Sequence, residues 1–238
     1  KKYAGVMKLM LYILKLAFVI QLIGTVALSF VFVPEFGWLK GIWYSLFHAI
    51  SSFCNAGFDL LGDSLANHQQ KVYLIMVVSA LIISGGLGFI VWRDLLEYHQ
   101  KKKMTIHSKI ALTVTGTLLL SGFVVCFFTE RNGATLVEGN MYQLLANTFF
   151  MSVTPRTAGY YSVDYLHMSH AGLILTMFLM YIGGTSGSTA GRIENNYVRC
   201  VADPHAFDVE RTYESGSIWP YHPTRRSGCG HLLYFLLR

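Results

Sequence analysis

Two short apolar segments of this chain each end in an Ala-Gly-aromatic triplet, and each lies between runs long enough to cross a bilayer. The first is Phe47-His48-Ala49-Ile50-Ser51-Ser52-Phe53-Cys54-Asn55-Ala56-Gly57-Phe58-Asp59. The second is Asn147-Thr148-Phe149-Phe150-Met151-Ser152-Val153-Thr154-Pro155-Arg156-Thr157-Ala158-Gly159-Tyr160. Placing Gly57 on Gly159 gives an offset of 102 residues, which also superposes Phe47 on Phe149, Ala56 on Ala158 and Phe58 on Tyr160. A helix that stops partway through a membrane leaves backbone groups that lipid does not satisfy, so such backbone must be buried in protein or face water. The C-terminal end of a helix carries partial negative charge, and glycine reaches the positive-φ conformations that re-aim carbonyls. One triplet of this kind is no signal. Two, each after a short helix between spans, point to backbone oxygens arranged around a cation.

The chain in order supports a multi-span reading. Leu9 to Val33 is apolar apart from Lys15 and Gln21, enough for the roughly 20 helical residues a bilayer core requires. Pro34 and Gly37 end it, and Trp38, Trp43 and Tyr44 follow at the height of an aromatic interfacial belt. Gly41 to Phe53 is too short to cross and reads as re-entrant. Val72 to Val91 is a second span, interrupted by Ser84-Gly85-Gly86-Leu87-Gly88, where small residues permit close packing or a kink. Arg93 to Lys109 is the most basic loop, so the positive-inside rule puts it and the N-terminus in the cytoplasm. Ile110 to Phe128 is a third span, Glu130-Arg131-Asn132-Gly133 an exposed turn, and Met141 to Val153 the second short helix. His167 to Ile182 opens a fourth span that runs into Gly183-Gly184-Thr185-Ser186-Gly187-Ser188-Thr189-Ala190-Gly191, a poor helix that, if it lies in the membrane, has to border an aqueous path.

Composition excludes other classes. The chain is 53% hydrophobic and 13% charged, with mean hydropathy +0.43; soluble domains have about a quarter of their residues charged. The net charge of +6 is bunched between apolar runs and forms no stripe for nucleic acid. Cys54, Cys126, Cys200 and Cys229 form no CxxC pair, and Cys200, His205, His222, Cys229 and His231 match no zinc spacing. The chain begins with Lys1 rather than Met and is expected to be an internal piece of a longer protein.

The three motifs Phe47–Asp59, Thr154–Tyr160 and Gly183–Gly191 resemble the Trk/Ktr/HKT superfamily of potassium and sodium transporters, and most closely the bacterial Ktr-type membrane subunit. The likeness runs from about Leu9 to Gly191. It implies an all-α membrane protein built from span–pore-helix–span units, of which this chain holds the second and third of four. Potassium, with sodium as a second candidate, is then the transported ion, and no cofactor is expected. Asn55, Ala56, Gly57, Thr157, Ala158 and Gly159 are the implied filter residues. Gly183, Gly184, Thr185, Ser186, Gly187, Ser188, Thr189, Ala190 and Gly191 are the implied gating loop. A homodimer of the full-length subunit and a cytosolic nucleotide-binding regulatory ring of the RCK/KTN type are the implied partners, besides the lipid bilayer.

The resulting division is a first unit at 1–96, a basic cytoplasmic loop at 97–109, a second unit at 110–191, and an irregular polar tail at 192–238. After Gly191 the family continues differently, so the tail is expected to be frameshifted or foreign to it. Two other readings compete. Gly184-Thr185-Ser186-Gly187 matches the GxSG pattern of an intramembrane serine hydrolase, but a nucleophile needs a base within hydrogen-bond reach, and His167 and His170 precede Ser186 at the far end of one span. Alternatively, two copies of a two-repeat channel subunit close a four-loop pore by symmetry. Of the remaining polar residues, His48 reads as packed, and Asp59 as either a cap or a cation attractor. Arg156 costs roughly 2.5–3.5 kcal/mol at the membrane midplane, so it is expected to pair with an acid or with carbonyls.

Overall fold

The computed structural model describes residues 2–101, 104–130, 140–156, 158–163, 165 and 168–181. Among these the regular structure is entirely helical. Seven α-helices follow in order: α1 (Lys2–Phe36), α2 (Trp38–Phe53), α3 (Val72–Gly86), α4 (Phe89–Lys101), α5 (Ile106–Glu130), α6 (Met141–Val153) and α7 (His170–Tyr181), with a 3-10 turn at Ala66–His68.

Met10–Phe36 of α1 and all of α5 are long and apolar enough to cross a bilayer. The short helices are not. At a rise of about 1.5 Å per residue, the 16 residues of α2 reach about 24 Å and the 13 of α6 about 20 Å, short of a core about 30 Å thick. In each half a long helix, a short one and a returning one pack on each other: α1 with α2 and α3, and α5 with α6 and α7. The halves meet where α3 packs on α6. The main core straddles that seam, joining Leu28 and Phe32 of α1 and Leu74 and Val78 of α3 to Phe150 of α6 and Tyr160 beyond it. Outward-facing apolar residues such as Phe18, Phe30, Trp38 and Trp43 are exposed, the arrangement expected of a lipid-facing surface.

The run Val72–Val91 is not one straight span. It breaks after Gly86, and α4 leaves α3 at 98°. The cause lies in the glycine-rich stretch at 84–88, where Gly88 at φ +80° takes the backbone out of the helical region. Trp92 repairs part of the break by donating its indole N–H to the Ser84 carbonyl at 2.8 Å. The boundary at residue 96 therefore falls inside α4, and the basic loop is mostly helical.

Two carboxylates fasten helix starts. Asp94 Oδ2 accepts the Thr105 N–H at 3.2 Å, the Ser108 hydroxyl at 2.5 Å and the Thr105 hydroxyl, so α4 caps the N-terminus of α5. Glu130 does the same for α7 through the Ser169 N–H, at 3.2 Å, and the Ser169 hydroxyl. Glu130 is 1% exposed, which corrects the expectation of an exposed turn beginning there. A buried carboxylate is stable at this position because a helix N-terminus supplies donors and positive potential.

Candidate functional site

The end of α2 turns back on itself in three steps. Cys54 N–H donates to Ile50 O at 2.9 Å, Asn55 N–H to Ser52 O at 3.2 Å and Ala56 N–H to Ser51 O at 2.9 Å. Asn55 (φ +50°) and Gly57 (φ +72°) are both left-handed, so the backbone reverses twice within three residues. Asparagine is among the few non-glycine residues that tolerate this region. The end of α6 turns similarly, with Thr154 N–H on Phe150 O at 2.9 Å, Ala158 N–H on Thr154 O at 3.1 Å and Gly159 at φ +81°.

The structure brings the two turns together. A β-carbon on Gly57 would sit 2.5 Å from the Ala158 carbonyl oxygen and 2.9 Å from the Gly159 Cα. Ala56 and Gly159 are exposed, whereas Ala158 is buried in the seam between the halves. Thr157 and the whole of Gly183–Gly191, Ser186 included, lie outside the described residues.

Hydroxyl groups hold each turn to the helix before it. Ser51 Oγ donates to the Phe58 carbonyl at 2.7 Å, and Thr154 Oγ1 donates to the Tyr160 carbonyl. In the 102-residue register Thr154 matches Ser52, and the neighbouring Ser51 takes the corresponding part. The register alone did not single out these hydroxyls or their targets.

The loops beyond the turns interlock as well. Asp59 Oδ2 accepts the N–H groups of Gly62 and Ser64 at 2.9 and 3.0 Å, which makes it a turn cap. Leu65 N–H donates to Tyr161 O at 2.9 Å, and Tyr161 N–H to Ser64 Oγ at 3.1 Å. Gln69 reaches Ser162 O, and Asn147 of α6 reaches Gln69 O at 3.0 Å. Ser64 and Gln69 carried no motif, and Asn147, at the head of the second one, gave no sign of its partner, because only the folded chain pairs residues so far apart.

His48 is packed, as expected: it is 1% exposed and its Nδ1 lies 2.7 Å from Tyr44 O. Arg156 is 8% exposed and, among the described residues, has no acidic partner. Its Nε is buried without an acceptor among the described residues. Among the described residues no group of three His, Cys, Asp or Glu side chains is placed to hold a metal ion.

The sequence profile of the TrkH family, described as a cation transport protein, matches residues 1–203. The chain belongs to the TrkH family. The profile match of this TrkH-family chain ends inside the 192–238 stretch. The potassium/sodium uptake protein NtpJ of Enterococcus hirae is 74% identical to it over 194 residues, covering 82% of this chain and 43% of that protein. The Ktr system potassium uptake protein B of Bacillus subtilis is 38% identical over 193 residues, covering 80% of this chain and 43% of that one. The crystal structure of the potassium transporter TrkH from Vibrio parahaemolyticus superposes with a TM-score of 0.62 over 92% of this chain and 46% of its own. With 15% identity, that likeness is one of fold. The TrkH-family chain thus spans a little under half the length of these relatives.

Proposed function

We propose that this chain supplies part of the ion path of a membrane subunit that takes up potassium, with sodium as the second candidate ion. Ions shed water at the backbone oxygens of Asn55-Ala56-Gly57 and Thr157-Ala158-Gly159 and then pass a gate at Gly183–Gly191. The observation that carries this reading is the meeting of the two left-handed glycines at the ends of two helices too short to span. Uptake, rather than hydrolysis at Ser186, accords with the names of the two curated relatives.

The N-terminus and the 93–109 segment are cytoplasmic on this reading, and the basic residues around Lys101 support that orientation. The complete subunit forms a homodimer on a nucleotide-binding regulatory ring. The remaining filter loops come from sequence beyond these two units.

The test is a chimera in which residues 9–191 of this chain replace the matching stretch of the Enterococcus hirae relative, expressed in cells that lack their own potassium uptake. Growth on limiting potassium, at a level close to the unaltered relative, is expected. A chimera that inserts into the membrane and gives neither growth nor flux contradicts the proposal.

A further inference from the structure

The geometry points to Tyr160 as a positioning residue that sets the ion preference of the first turn by holding its Phe58 carbonyl from the other half of the chain. The inference rests on the filter reading above and adds a determinant of ion selectivity.

The Phe58 carbonyl directly follows Gly57 and accepts two hydrogen bonds, from Ser51 Oγ at 2.7 Å and from the Tyr160 phenol at 2.8 Å. A carbonyl oxygen has two lone pairs. Both are thereby engaged on the protein side, which fixes the Phe58–Asp59 peptide plane, one beyond the plane that carries the Gly57 carbonyl. Ser51 ties this carbonyl to its own helix. Tyr160 ties it to a turn 102 residues away.

The Tyr160 ring is itself immobilised. It is 1% exposed and stacks on His48 with ring centroids 6.4 Å apart, while its own carbonyl is held by Thr154. The brace runs in one direction only. Phe58, the counterpart of Tyr160 in the repeat, has no hydroxyl and is 70% exposed. The second turn is thus anchored in the core, and the first depends on it.

Selection between potassium and sodium by carbonyl oxygens requires them to hold their number and separation around the ion. Releasing the Phe58 carbonyl lets the adjoining peptide follow a smaller cation. Loss of the phenol therefore weakens preference for the larger ion without blocking the path.

Tyr160→Phe removes the hydroxyl and keeps the ring. In the chimera described above, the ratio of sodium to potassium KM is expected to fall about fivefold, the factor corresponding to one net hydrogen bond of about 1 kcal/mol, with the maximal flux retained. Gly57→Ala, measured in parallel, separates the two ideas. An unchanged ratio in Tyr160→Phe beside a reduced one in Gly57→Ala overturns the brace and leaves the filter standing. Unchanged ratios in both remove the filter reading and the brace with it. Should Tyr160→Phe fail to reach the membrane, Tyr160→Met, which also lacks the hydroxyl and fills the core flexibly, decides in its place: a fall in the ratio supports the brace, and an unchanged ratio overturns it.

Discussion

Gly57 packs directly on Gly159: their turns approach until a β-carbon on Gly57 would lie 2.5 Å from the Ala158 carbonyl oxygen and one on Gly159 would lie 3.3 Å from the Gly57 Cα. Two turns separated by 102 residues thus share one small space, and the two glycines have φ of +72° and +81°. Neither backbone oxygen nor backbone carbon retreats as a flexible side chain does. The positive φ favours glycine at both positions, and at Gly57 the close approach demands it as well.

Gly57→Ala is expected to destabilise the chain by about 1–3 kcal/mol, from the left-handed penalty and the clash with Ala158 together. Thermal unfolding in detergent measures it. An unchanged unfolding temperature contradicts the contact between the turns.

Asp94 of α4 links that helix to the start of α5. Burial pushes its carboxyl up, but hydrogen bonds from Ser108 and Thr105 outweigh this and hold it below the ordinary carboxylate range. A carboxyl whose pKa is lowered on folding stabilises fully above its unfolded value, near 3.9, and loses that contribution as pH falls through its folded value. Asp94→Asn is therefore expected to lower stability at pH 7 and to flatten the loss of stability below about pH 4. Identical acid profiles for the two proteins contradict the capping role.

Deleting Thr185 to Ser188 in the chimera is expected to raise potassium flux, since the segment is proposed to obstruct the path below the filter. Unchanged or lower flux in correctly inserted protein contradicts the gate.

Local features of this fold were legible in the sequence, and long-range ones were not. Met141–Val153 is a helix with the expected ends, because a capping asparagine and a Thr-Pro pair mark them. The first short helix begins at Trp38 rather than Gly41, since Gly37 alone breaks the chain after α1. Ser84–Gly88 announced an interruption, yet whether small residues pack or bend depends on what surrounds them, and here they bend by 98°. At the site, the glycines were readable as a repeat, but the hydroxyls that hold the turns were not. That the Tyr160 phenol reaches across to Phe58, or that Glu130 is buried beneath α7, depends on tertiary pairing that no local pattern encodes.

Gly159→Ser in the chimera is the most direct test of the central claim. The substitution adds a side chain at φ +81°, next to the Gly57 Cα, in the turn proposed to face the ion. Potassium and sodium uptake are measured side by side in cells without other potassium uptake. The account predicts a clear fall in preference for potassium over sodium, with the protein still in the membrane. Undiminished preference in normally inserted protein would contradict the assignment of Gly159 to the filter.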